Sequence, residues 1–284
     1  MNTVRYGLPV GGQALPNGVL MRDNNSSCIC IVDSSASFLT DLKTVKHHHS
    51  VQKPIIRGIY QFLMSVGSSL SVWRRLFILK KTGVRPPVNQ KLAAISGCAM
   101  FLFIFLGMSV FFDSVSSLIS EITSDTLLFT LLYVSAELLL LAAAFWLLSC
   151  IPAVRRTLGF HGAEHKTINC YEQGLPLTVE NVRQCSRFHR RCGTSMSVCL
   201  LLLMLAVSLL IPPVLSDAVQ LLIFFAALLL SVGIVYETMR AKKLNLAARL
   251  GLFAQRVTTR EPNEAMILCA ISALNAIVRQ NTEG

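Results

Sequence analysis

Charge is what this sequence has least of. Only 14% of its 284 residues are Asp, Glu, Lys or Arg, against about a quarter in a typical soluble domain. That scarcity, with 53% apolar residues, excludes an ordinary soluble globular chain. Acidic residues are the rarer sign, 15 against 26 basic ones, for a net charge of +11. Tryptophans number only two, and the basic residues sit at the ends of apolar runs without an accompanying aromatic stacking platform, which makes nucleic-acid binding the weaker explanation of the charge. The nine cysteines are odd in number and scattered, which fits reduced thiols and excludes a complete disulfide framework. Met1 to Pro16 has no apolar core, so no cleavable signal peptide is expected there.

Long apolar runs are abundant. A helix needs roughly 20 apolar residues to cross a hydrocarbon core of about 30 Å. Four stretches meet that length: Leu92 to Phe112, Thr126 to Val154 with only Glu137 charged, Gly193 to Ser216, and Ala218 to Tyr236. Basic residues gather before the first, between the second and third, and after the fourth. The other two connections hold only Asp113, Glu121, Asp125 and Asp217 as charges. The positive-inside rule therefore places both termini and the 155–192 loop in the cytoplasm of a multi-pass inner-membrane protein. The partner implied is membrane lipid, whose anionic headgroups attract the excess positive charge; nucleic acid is not expected.

The predicted fold is an all-α polytopic membrane protein with four transmembrane helices, a small N-terminal β element and a cytoplasmic helical loop. Residues 1–54 form a tail in which Gly11-Gly12 and Pro16-Asn17-Gly18 are turns and Cys28 to Val32 is a short strand, making a hairpin. Residues 55–91 form an amphipathic helix in the membrane interface, with Trp73 at headgroup level. Residues 92–154 and 193–236 are the paired spans, 155–192 is the loop, and 237–284 is a helical segment whose Glu261 to Val278 part packs on the loop or the membrane surface. The His47-His48-His49 run reads as a solvated linker, because three consecutive side chains cannot face one ion on a regular element.

The chemistry gathers in the loop. In FHGAEHKTINCYE, Phe160 to Glu172, residues His161, Glu164 and His165 fall at i, i+3 and i+4, and so leave one face of a helix. After a turn at Gly174-Leu175-Pro176 and an N-cap at Thr178, the loop ends in Phe188-His189-Arg190-Arg191-Cys192-Gly193. Its His-x-x-Cys-Gly spacing is that of a zinc knuckle. His161, His165, His189 and Cys192 are the candidate metal ligands and zinc the fitting ion. Two readings follow from ligand count. With three protein ligands the ion keeps an open position, and Glu164 is a general base, as in metallohydrolases of the inverted His-x-x-Glu-His order. With all four the tetrahedron is closed and structural, and Glu164 orients an imidazole. Cys170 is a further thiol on the same helix, read as a buried packing residue.

The 160–172 run resembles the YqhQ-like family of bacterial membrane proteins. So do Thr178-Val179-Glu180-Asn181-Val182-Arg183, Ser186 to His189 with Arg191 to Ser195, Gln255-Arg256 with Thr258 to Pro262, and the opening Gly11-Gly12-Gln13-Ala14 with Gly18-Val19 and Met21-Arg22. The resemblance implies multi-spanning membrane proteins described as metal-dependent enzymes of unknown substrate. By position His161, Glu164, His165, His189 and Cys192 match its motif residues, as do Gln13, Arg22 and Thr259-Arg260-Glu261. The chain departs from the pattern at Leu15-Pro16-Asn17, where an acidic residue is lost, and at Arg190, where Pro is usual. On this basis the expected activity is that of a metal-dependent hydrolase with Glu164 catalytic; the alternative is a membrane scaffold or regulator with a structural metal.

Overall fold

The structure is a computed structural model that describes residues 10–23, 25–33, 37–44, 53–64, 67, 72, 75, 114, 117–210, 216–240 and 246–283. Met1–Arg85 with Ser149–Gly284 form one compact unit, and Pro86–Leu148 form a second.

The first unit is built on a sheet. Strands β1 (Gly11–Leu15), β2 (Gly18–Arg22), β3 (Ser26–Val32) and β4 (Phe38–Thr44) form an antiparallel meander in sequence order. The β1–β2 turn is Pro16-Asn17, with Asn17 at φ 68, a left-handed conformation that Asn tolerates. Its carbonyl accepts from the Val32 N–H at 2.8 Å. The sequence SSCICIV makes β3 apolar on both faces, and every one of its residues is buried. On one face Val19, Met21, Cys28, Cys30 and Val32 pack against helices; on the other Leu15, Leu20, Ile29 and Ile31 pack with Val72. Arg75 closes that second face through Asp41 and Ser27.

Among the described residues, the helices after residue 125 are α1 (Thr126–Cys150), α2 (Pro152–Glu172), α3 (Val179–Gln184), α4 (Gly193–Leu210), α5 (Asp217–Arg240), α6 (Leu246–Thr258) and α7 (Glu264–Glu283). Extended Ile151 (ψ 126) followed by Pro at N1 begins α2, because proline loses nothing at a helix start and carries a fitting φ. α2 ends at Gly174, φ +70, with the Leu175 N–H on the Cys170 carbonyl, the 6→1 closure of a Schellman turn. α7 lays Cys269, Ala270, Ala273, Leu274 and Ile277 on the sheet beside Phe160, Ala163 and Tyr171 of α2. Small residues at 269, 270 and 273 let the helix approach β3 closely, and the Cys269 thiol donates to the Cys30 carbonyl at 3.2 Å.

Two expectations are corrected. The chain is not an all-α protein with four membrane spans. Its centre is a four-stranded sheet covered by helices, and among the described residues one helix, Ala218–Met239 in α5, is long and apolar enough to cross a membrane. Freedom from charge does not separate a span from a helix that buries its surface on protein. Gly193–Met204 is a shorter apolar helix, and its Met196, Cys199 and Leu203 pack with Val235 and Met239 of α5. The expected span at 92–112 lies outside the described residues, as do His47 to His49 and the side chain of Glu137. The 261–278 helix exists as α7 and packs on the 155–192 loop, with Ile267 and Ile271 against Cys170, Val182 and Cys185; it also covers the sheet. Gly11-Gly12 is not a turn: both residues are in β1.

Candidate metal centre

The buried half of α2, Gly159 to Tyr171, packs on the sheet alongside α7 and presents the His-x-x-Glu-His face inward. His161 Nδ1 lies 2.7 Å from the carbonyl of Thr258 at the end of α6, and His165 Nδ1 lies 2.7 Å from the carbonyl of Arg187. A carbonyl only accepts, so each Nδ1 carries the proton and each Nε2 keeps its lone pair free. Both rings are thereby held with Nε2 available to an ion, as backbone carbonyls hold the imidazoles of metal sites. His161 Nε2 stands 3.2 Å from Cys192 Sγ. One donor atom each of His161, His165 and Cys192 lies within 4.8 Å of the other two. Burial pulls His165 below the usual imidazole range, against the opposing influence of Cys192, which favours the neutral form a ligand needs. The Thr194 N–H points at Cys192 Sγ from 3.4 Å, as the knuckle spacing predicts.

The knuckle is strapped down from both sides. From α2, His165, Lys166 and Asn169 take the carbonyls of Arg187, Arg183, Ser186 and Phe188. From α6, fully buried Gln255 accepts from the His189 N–H and donates to the His189 carbonyl, both at 2.8 Å, and also to Ser195 Oγ. Replacing Gln255 by Ala leaves a buried N–H and C=O unpaired at about 1–3 kcal/mol each. A loss of about 2–4 kcal/mol in chemical unfolding, with weaker metal retention, is the expected result.

His189 stands apart from the three-residue group. Its Nε2 faces Glu172 Oε2 at 3.3 Å, and its ring centre is 5.7 Å from that of His165. Glu172 also holds Arg191; sequence reasoning quoted it in the run but gave it no role. Cys170 points away from the centre, towards the carbonyls of Leu175 and Pro176, and burial pushes its thiol up to about 12.

Glu164 is 5% exposed, and its Oε2 has no hydrogen-bond partner among the described residues. Burial pushes the carboxyl up to about 7, against the pull of His161, His189 and Arg22. It lies over β1, where a Cβ on Gly12 would come within 2.7 Å of its Cγ and Oε1. Gly12 and Arg22 are thus site residues supplied by the sheet. The glycine pair in the sequence signalled them only as a turn, and Arg22 only through the resemblance. An orphaned carboxylate oxygen in a buried site calls for an ion, a water or a catalytic proton, and with two imidazole lone pairs and a thiol nearby the residues fit a zinc-type ion.

A pH effect follows in chelated protein. A carboxyl raised from 4.5 to about 7 binds more protons folded than unfolded between those values, so its contribution falls as pH rises through that window. The loss amounts to about 3 kcal/mol. Glu164→Gln removes this slope, leaving wild type less stable than the variant at neutral pH in denaturant titrations.

These features define an α+β protein with a helix-borne His-x-x-Glu-His pair closed by a cysteine knuckle. The chain belongs to the family described as "Protein of unknown function (DUF1385)", whose profile matches residues 53–280. It is 30% identical to the "Uncharacterized protein YqhQ" of Bacillus subtilis (strain 168) over 95% of this chain and 92% of that protein. No solved structure matches the chain.

Proposed function

We propose that the protein is a metal-dependent enzyme, a hydrolase by reaction class, anchored in the cytoplasmic membrane with its zinc centre on the cytoplasmic side. The observation that carries the reading is the three-donor group of His161, His165 and Cys192 beside a buried, unsatisfied Glu164. Three protein ligands leave a coordination position open, the mark of a catalytic site. When bound, zinc supplies Lewis acidity and lowers the pKa of water towards about 7. Glu164 Oε2 takes the proton of the attacking water and returns it to the leaving group, a task suited to a carboxyl held near neutrality. Arg22, half-buried and close enough to Glu164 to interact with its charge, steadies the carboxylate as it ionises. Asp217 at one end of α5 and Arg240, Lys242 and Lys243 at the other support a cytoplasmic C-terminal end for that helix. Membrane lipid is the partner this implies.

The second reading is a scaffold or regulator with a structural metal, favoured by His189, whose ring is near enough to His165 for a side-chain rotation to make it a fourth ligand. Glu164→Gln separates the two. The enzyme reading expects unchanged metal content and hydrolysis of ester, phosphoester and peptide reporters reduced by about 10²–10⁴-fold. Activity that survives in the variant overturns Glu164 as the base. Unfolding on chelation, with no activity in wild type, supports the structural metal.

A further inference from the structure

Helix α6 has two unlike faces. Gly251, Gln255 and Thr258 are buried; Gln255 clamps His189 and the Thr258 carbonyl fixes His161. The opposite face carries Arg249, Leu250, Phe253, Arg256 and Val257, all exposed. Their spacing of i, i+1, i+4, i+7 and i+8 makes one stripe along the helix. Phe253 is 67% exposed, and the Arg256 guanidinium lies 5.3 Å from its ring centre. The helix contains no acidic residue, and with Arg240, Lys242, Lys243 and Arg260 the 240–260 segment is uniformly basic. Apolar side chains with an aromatic, flanked by arginines, suit a helix lying in a lipid interface. The uniform positive charge disfavours a second copy of the same face. The preceding helix α5 supplies continuity with the bilayer. Leu221, Leu222, Phe225, Leu229 and Leu230 are exposed, while Ser231, Val232, Val235 and Met239 are buried.

We infer that α6 docks by this stripe on an anionic phospholipid bilayer, with Phe253 below the headgroups and Arg249 and Arg256 on lipid phosphates. The helix in contact with lipid is the helix whose other face orients His161 and the knuckle, so the metal centre is held at a fixed, short distance from the membrane surface. The inference rests on the membrane anchorage proposed above and on none of its metal chemistry.

The test is photo-cross-linking in the full chain, reconstituted in nanodiscs of phosphatidylcholine with phosphatidylglycerol. Phe253 is replaced by p-benzoylphenylalanine, with Glu180 on exposed α3 replaced likewise as the reference position. Adducts are read by mass spectrometry and metal content is measured on the same samples. Phospholipid-mass adducts at 253 exceeding those at 180 by about tenfold are expected for a side chain seated in the interface. Arg256→Gln should lower the preference for phosphatidylglycerol adducts about fivefold. No adduct at 253, an adduct joined to protein, or equal lipid yield at both positions overturns the docking. Metal retained while the lipid adduct fails removes this inference alone; lipid adduct kept while metal is absent removes the enzyme reading alone.

Discussion

Cys192→Ala and His165→Ala are each expected to empty the metal centre, whereas His189→Ala is expected to retain the ion. The first two remove a donor from a group of three, and an ion left with two protein ligands is not held through purification. Deprotonated cysteine is also the strongest zinc donor in the set, so its loss weakens the site most. His189 acts differently. Its ring bonds Glu172, while its backbone, which any residue supplies, is what Gln255 grips. Its replacement should cost about 10–100-fold in affinity, the usual toll of losing a side chain that supports the ligands without touching the ion. Metal content of the three variants beside wild type, by mass spectrometry on detergent-purified protein, reads the difference. Equal loss in all three would make His189 a ligand and close the site.

Among the glycines of the described residues, Gly162→Ala is expected to be the most damaging substitution. Gly162 lies between His161 and Glu164 where α2 crosses the Thr258 to Pro262 segment, and a Cβ there would stand 2.0 Å from the Arg260 carbonyl oxygen. The obstacle is backbone, tied to α2 by the Arg260 N–H on the Leu158 carbonyl at 2.9 Å, so it cannot swing aside. Relief requires the two segments to part, which withdraws the Thr258 carbonyl from His161. A stability loss of at least about 3 kcal/mol is expected, with metal lost as well. Gly159→Ala, one turn earlier, is the control. Its new methyl meets the flexible Met266 thioether, and alanine gains about 1 kcal/mol of helix propensity over glycine, so that variant should keep its stability and its metal. Thermal unfolding of the two proteins side by side decides the matter; equal melting temperatures would overturn the close-crossing argument.

Local chemistry was legible in the sequence and long-range packing was not. The i, i+3, i+4 spacing in FHGAEHKTINCYE and the His-x-x-Cys-Gly knuckle placed His161, His165 and Cys192 in one site before any contact was known. Thr178 as N-cap is likewise seen, accepting from the Asn181 N–H. What the spacing could not show is which of four donors turn inward, since His189 is drawn to Glu172 by a contact between separate elements. The sheet was underread for a similar reason. SSCICIV looks like one short strand, but burial on both faces becomes evident only once α7 covers one side and Val72 the other. The four-span expectation came from counting uncharged residues, a property shared by lipid-facing helices and by helices such as α4 that pack against protein. Gly12 and Gln255, from the two ends of the chain, reach the centre through tertiary folding alone.

Zinc K-edge X-ray absorption on purified wild-type protein tests the central claim most directly. An open His2Cys site predicts one sulfur at about 2.3 Å, two imidazole nitrogens at about 2.0–2.1 Å, and one further light atom that is not imidazole. Three imidazoles with one sulfur would show a closed structural tetrahedron that includes His189, and a spectrum without a sulfur shell would show that His161, His165 and Cys192 do not hold the ion together.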